Sequence, residues 1–153
     1  GAAFLVLESR EHAEARGRKP YAALGKVAAG RTRRGNADLA AEVAALLHSL
    51  DAPQAPLMAM SGASGAHAAT KAERAALGGG PFAPRAFSSL TGHLREAQFP
   101  FAVALAALAI AKGAPYPPFD PANEAAFDGA PQAALATAIG HHRFEGAALV
   151  VAA

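Results

Sequence analysis

Near its start the chain carries six apolar residues without a polar interruption, Ala-Ala-Phe-Leu-Val-Leu at positions 2–7. A run of this length bounded by charge reads as a strand covered on both faces. A chain entering directly on such a strand is expected to have further sheet upstream. Residues 9–16 support a short helix from a Ser9 cap, ended by Gly17, and residues 19–27 read as a second strand opened by Pro20. Asn36 is placed to cap an amphipathic helix. In it Leu39, Val43, Leu46, Leu47 and Leu50 follow the helical period, and Asp38 sits in the first turn, where the helix dipole favours an anion. Pro53 and Pro56 end it.

Residues 57–60 form a brief strand, followed by a loop of small residues at 61–66. The spacing then predicts a helix over 70–77, stopped by Gly78, Gly79 and Gly80, and a further strand over 86–90. From about Glu96 to Lys112, Phe99, Phe101, Val103, Leu105, Leu108 and Ile110 fall all around a helical wheel, the pattern of a helix buried on every side. Five prolines between 113 and 131 enforce irregular connection. Two apolar segments, 134–139 and 147–151, flank Gly140 to Gly146 and predict an antiparallel hairpin. Strands alternating with helices and closing on a hairpin define an α/β sheet covered by helices.

At 153 residues and 52% apolar content the chain has the size of one globular domain. Much of that apolar content is alanine, so its elements are expected to approach closely. The longest apolar run, 99–111, falls short of the roughly 20 residues that span a bilayer, so no membrane segment is expected and a cytoplasmic location is the simplest reading. The overall charge of +2 is too mild to point to nucleic acid, but it is uneven: residues 9–34 are net +6 and the remainder −4. A solvated basic surface is the plain reading, and docking of an acidic partner is the alternative. With no cysteine, the chain holds no disulfide, thiolate metal site or cysteine nucleophile.

The segment Ser88-Ser89-Leu90-Thr91-Gly92-His93-Leu94 resembles the Lys-x-x-Thr-Gly-His-Leu signature of β-ketoacyl synthases, with Thr91, Gly92, His93 and Leu94 matching. Other stretches fall in the same order as in that family. Gly-Ala-Ala-Phe-Leu-Val-Leu-Glu at 1–8 resembles its Gly-Ala-Gly-x-Leu-Val-Leu-Glu strand. Glu-His-Ala-Glu-Ala-Arg-Gly at 11–17 resembles the helix after it, and Tyr21-Ala22 leads into the next strand. Lys71-Ala72-Glu73 is similar to the Asp-Lys-Ala-Glu that follows the first catalytic-histidine loop, and Pro117-Pro118 to a Pro-Pro beyond the buried helix.

The resemblance implies a thiolase-like fold, two similar halves packed through central helices. This chain would supply the last strand and helix of the first half (1–19) and the whole C-terminal half (20–153): a mixed sheet covered by helices and ending in an antiparallel hairpin, with residues 99–112 as a central helix. An isolated half would expose a large apolar surface. In the family, a cysteine accepts the acyl chain, two histidines stabilise the enolate formed as a malonyl thioester loses CO2, and a lysine organises them. Removing one such donor from a dry pocket costs on the order of 3 kcal/mol of transition-state stabilisation.

Here the first histidine position falls on Gly62, the lysine position on Ser88, and the closing Gly-rich loop on residues 139–145, where Gly140 is retained and His141 begins a bulky, polar replacement. Only His93 remains of the catalytic set. It is read either as a histidine held by backbone contacts at a turn or as a residual catalytic group. His67, five positions late, is a weak substitute for the missing histidine. His141 and His142 are not expected to share a metal, because adjacent residues on an extended segment point to opposite faces. No metal or cofactor is expected.

The resemblance also raises acyl-carrier-protein docking for the loop carrying Arg31, Arg33 and Arg34, since carrier proteins are acidic and recognised largely through charge. Three functions follow. The first is a non-catalytic partner subunit that completes a dimer with an active ketosynthase-type chain, as chain-length factors do in polyketide and aryl-polyene systems, or a half that completes its own N-terminal half. The second is an unorthodox fatty-acid or polyketide condensing enzyme, or acyltransferase, whose cysteine lies in another half. The third is a small structural dimerisation protein.

Overall fold

The computed structural model describes residues 1–35 and 38–153. Its elements are α1 (Arg10–Ala15), β1 (Ala23–Gly30), α2 (Leu39–His48), β2 (Leu57–Met60), α3 (His67–Gly78), β3 (Phe82–Arg85), α4 (Ser88–Thr91), α5 (Gln98–Lys112), β4 (Ala133–Ile139) and β5 (Glu145–Val151). The five strands form one mixed sheet in the order β1-β5-β4-β2-β3. Strands β3, β2 and β4 run parallel, whereas β5 is antiparallel to both β4 and β1.

Alternation along the central strands sorts their side chains onto two faces. Met58, Met60, Ala134, Ala136, Ala148 and Val150 pack with α5 on one side. Ala59, Leu135, Ile139 and Ala147 pack with Val43 and Leu47 of α2 and Ala69, Ala76 and Leu77 of α3 on the other. The result is helix, sheet and helix in three layers around a doubly covered sheet, the α/β class expected, and the closing hairpin forms where the apolar pattern places it.

Several expectations shift. Residues 2–7 form no strand: they have no regular secondary structure, and Phe4, Val6 and Leu7 stand exposed. A strand is held by its neighbours, and no described residue pairs with this run. The second strand lies further on, at Ala23–Gly30, clear of Pro20. The expected cap at Asn36 lies outside the described residues, while Asp38 caps α2 by accepting from the amides of Ala40 and Ala41 at 3.0 and 3.2 Å. α3 begins a turn earlier than its apolar spacing suggests, at His67.

The strand expected over 86–90 is instead β3, before it, and Ser88–Thr91 is a helical turn. β3 is an edge strand, which tolerates Pro84 because a missing amide there leaves no ladder bond unmade.

α5 differs in kind from the helix buried on every side that the sequence suggests. Its buried face is built from small residues, Ala102, Ala106 and Ala109 with Val103 and Ile110, whereas Phe101 and Leu105 are half-buried and Leu108 is 40% exposed. Alanine lets the helix axis approach the sheet closely, while Phe99, Phe101 and Leu105 pack at the margin of the same core and Leu108 reaches solvent.

Candidate functional site

In sheets with parallel strands, ligands gather beyond the carboxyl ends of those strands. β2, β3 and β4 end at Met60, Arg85 and Ile139, and the next residues in each case carry the ketosynthase-like positions: Gly62, Ser88 and His93, and Gly140. The loops meet there, since the Ser61 amide donates to the Arg85 carbonyl at 3.0 Å and Gly62 lies against Thr137 and Ala138 of β4.

At Gly62 the backbone is pressed onto β4. A Cβ there would lie 2.2 Å from the Thr137 carbonyl oxygen and 2.5 Å from the Ala138 Cα. No histidine fits at this position on this backbone. The Gly62 amide donates instead to Glu73 Oε1 and to Thr137 Oγ1, both at 3.1 Å. Glu73 also receives the Ser61 hydroxyl at 2.9 Å and is hydrogen-bonded to the Thr137 hydroxyl. It is 1% exposed. Burial pushes its carboxyl above the usual range, against the opposing pull of the hydrogen bonds from Thr137, Ser61 and Gly62. The corner where the first histidine would act is thus a closed polar knot joining β2, α3 and β4.

Ser88 is engaged in a similar way. Its Oγ accepts from Gln98 Nε2 at 2.7 Å, and Gln98 Oε1 accepts from the Leu94 amide at 2.9 Å. Gln98 is 2% exposed, so it ties α4 and the following turn to the first residue of α5 from inside. A short neutral bridge occupies the place where the resemblance sets a lysine.

His93 lies between α4 and α5 and is exposed. His67 starts α3, also exposed. The side-chain hydrogen bonds at Gly62 and Ser88 run to Glu73, Thr137 and Gln98 and to neither histidine. Gly140 is retained for a steric reason: a Cβ would meet the Arg143 carbonyl oxygen at 2.0 Å.

His141 and His142 contradict the expectation of opposite faces, because they sit in a bend and not on a strand; their rings are 4.3 Å apart in an edge-on arrangement. Among the described residues no group of three or more His, Cys, Asp or Glu side chains is placed to hold a metal ion.

In the basic loop, Arg31 and Arg33 are exposed, and the Arg31 guanidinium lies 5.3 Å from the centre of the Phe144 ring. Arg34 turns inward. It pairs with Glu145, whose side chain is 2% exposed, and donates to the Gly140 carbonyl at 2.6 Å.

Sequence reasoning missed four buried charges that hold this end of the sheet: Glu73, Arg85, Glu124 and Glu145. Arg85 is fully buried and donates to the carbonyls of Pro84, Ala125 and Tyr116 at 2.7 to 2.9 Å. Glu124 lies 4.0 Å from it and accepts the amides of Ala86 and Phe119, both at 2.7 Å. Burial draws the Arg85 pKa down, and Glu124 opposes the shift. These residues moor the proline-rich connection to the end of β3. The signal in the sequence was a charge inside an apolar stretch, as in Phe82-Ala-Pro-Arg85-Ala-Phe87, because an arginine flanked by core residues must find partners.

No protein-family model matches the sequence, and no curated protein matches it. Solved structures do. The fold is similar to the ishigamide ketosynthase/chain length factor, with a TM-score of 0.70 and 18% identity, over 95% of this chain and 41% of that one. It is similar to the oxazolomycin ketosynthase domain of Streptomyces albus, with a TM-score of 0.69 and 16% identity, over 94% of this chain and 48% of that one. A third likeness is to a type II polyketide synthase acyl-carrier protein in complex with its ketosynthase bound to the hexaketide, at a TM-score of 0.61 and 21% identity, over 95% and 42%. The chain therefore spans less than half the length of the proteins it matches.

Proposed function

We propose that this chain, which carries about half of a thiolase-like ketosynthase fold, serves as a non-catalytic, chain-length-factor-like subunit beside an active ketosynthase-type chain or a separate N-terminal half. Fatty acid, polyketide or aryl-polyene synthesis in the cytoplasm is the setting that fits it. No helix of the described residues is long and apolar enough to cross a membrane.

The observation that carries the proposal is the closure of the first-histidine and lysine positions. Catalysis of malonyl decarboxylation in this fold depends on preorganised donors aimed at a developing enolate. Gly62 has no room for a side chain, its amide is already committed to Glu73 and Thr137, and Ser88 is held by Gln98. His93 alone, exposed to water, offers no dry pocket in which a hydrogen bond to an oxyanion gains strength. A subunit that completes a dimer and walls a chain-binding tunnel needs the packing and none of these donors.

Under this reading an acidic carrier protein approaches the exposed Arg31 and Arg33, while Arg34 holds the loop in place. The test is direct. The purified chain, alone and mixed with an active ketosynthase, is given a malonyl thioester, and CO2 release is followed. The chain alone should release CO2 at the uncatalysed rate, His93→Ala should change nothing, and native mass spectrometry should find it bound to the ketosynthase. Decarboxylation by the wild-type chain that His93→Ala abolishes would refute the assignment.

A further inference from the structure

The register of the sheet brings two loops together that are 110 residues apart in sequence. Gly30, the last residue of β1, pairs with Glu145, the first of β5, so the basic loop leaving β1 and the turn entering β5 emerge side by side. Glu145 joins them. Its Oε2 accepts the Thr32 amide at 2.9 Å, and its Oε1 pairs with Arg34, whose other terminal nitrogen donates to the Gly140 carbonyl while the first donates to the Thr32 carbonyl at 3.0 Å. The turn is braced from within by the Gly140 amide, which donates to the Phe144 carbonyl at 2.8 Å, and Phe144 carries the Arg31 guanidinium on its ring.

The outer surface of this pair of loops is basic. Arg31 and Arg33 from one loop and Arg143 from the other are exposed, with the exposed His141 and His142 beside them. The single carboxylate built into it, Glu145, faces inward and is cancelled by Arg34. Asp38, next along the chain, is turned to the amides of its own helix. Long side chains normally surrender conformational freedom on binding; here the backbone of both loops is already fixed and Arg31 is stacked.

We infer that loop 31–34 and turn 141–144 form one preorganised docking surface for an acidic protein, with Arg31, Arg33 and Arg143 as contacts and Arg34 and Glu145 as positioning residues that hold the two loops as one body. The inference rests on the carrier-protein reading above only for the identity of the partner; the surface itself is argued from charge and geometry. It adds the hairpin turn to the contact area and removes Arg34 from it.

The experiment titrates the purified chain with two fluorescent probes, a twenty-residue polyglutamate peptide and an acyl carrier protein, at low and at moderate salt. Arg33→Glu and Arg143→Glu should each weaken binding of polyglutamate by about fivefold, because both charges belong to one surface. The charge-conserving pair Arg34→Gln with Glu145→Gln should weaken binding about threefold with an unchanged salt dependence, the signature of lost preorganisation and not of lost charge. Arg34→Lys, which keeps the charge but not the fork reaching both Glu145 and Gly140, should weaken it likewise should the double variant fail to fold.

If Arg143→Glu leaves binding untouched while Arg33→Glu weakens it, the bipartite surface is wrong. The positioning role falls if the clamp variants bind as tightly as the wild type. Binding of polyglutamate without binding of the carrier protein supports the surface and removes the carrier protein as its partner. Absence of binding to either probe at low salt overturns the inference.

Discussion

Replacing Gly62 by alanine tests the closed corner most severely, because the substitution adds one methyl group and no chemistry. Its Cβ would sit 2.2 Å from the Thr137 carbonyl oxygen and 2.8 Å from the Thr137 carbonyl carbon, both parts of the β4 main chain and neither the yielding tip of a flexible side chain. Thr137 is itself fully buried, so β4 has no slack into which to retreat. The segment after β2 must lift instead. Overpacking of this kind costs about 1–3 kcal/mol. Lifting the segment also stretches the two 3.1 Å bonds of the Gly62 amide, one of them to a buried carboxyl group, adding about 1–2 kcal/mol.

A total near 3 kcal/mol corresponds, for a chain of this size, to a fall in melting temperature of about 6–12 °C. Circular dichroism melts of the variant and the wild type measure it. Gly78→Ala serves as control, since Gly78 ends α3 with nothing within 4 Å of where the added methyl would sit, and alanine there should be neutral or stabilise by up to about 1 kcal/mol. A Gly62→Ala melt within about 1–2 °C of wild type, about what a surface substitution of 0.5 kcal/mol produces, would show that the corner has room for a side chain. The loss of the family histidine would then need another explanation.

Three further outcomes follow from the same end of the sheet. Glu73 has a folded-state pKa raised above the ordinary 4.5, so the native state binds more protons than the unfolded state between the two values. Its contribution is therefore fully present below about pH 4.5 and is lost as pH rises through the folded pKa; Glu73→Gln should flatten that part of the stability–pH curve measured by urea unfolding. Ser88→Ala should cost about 1–2 kcal/mol in the same assay by stranding the buried Gln98 amide, and Ser88→Thr, which keeps the hydroxyl, should cost less. Arg85→Met should destabilise by about 3–5 kcal/mol, leaving Glu124 buried without its cation, and limited proteolysis should then cut within residues 113–131 before any other segment; first cleavage elsewhere would argue against the mooring.

The layered architecture was legible because apolar periodicity alone separates the central strands from the helices that cover them. β2, α2 and the closing hairpin fall where alternation and helical spacing put them. What periodicity could not show was partnership. Residues 2–7 have the composition of a covered strand, but pairing depends on a neighbour that composition does not encode. β3 was hidden by Pro84, which signals a break in a central strand and is harmless on an edge.

At the site, the positions of Gly62, Ser88 and Gly140 were found through resemblance. Their present roles were not, because two are set by residues outside the motif that marks them, Thr137 against Gly62 and Gln98 against Ser88, and the third by how its own loop folds back, Arg143 against Gly140. Arg34 illustrates the same limit. In sequence it is the last of a cluster of exposed cations, and only the pairing of β1 with β5 brings Glu145 within its reach.

The alanine face of α5 inverts the usual rule for reading a helix. Ala102 and Ala106 are completely enclosed and Ala109 nearly so, while Leu108, the kind of side chain commonly taken to anchor a helix, is partly in solvent. Tolerance to change should run in the same inverted sense, with Leu108 open to a range of replacements and the enclosed alanines admitting almost none. A saturation library across this segment would yield its deepest losses at the methyl-sized residues, where even one added carbon prises two layers of the domain apart.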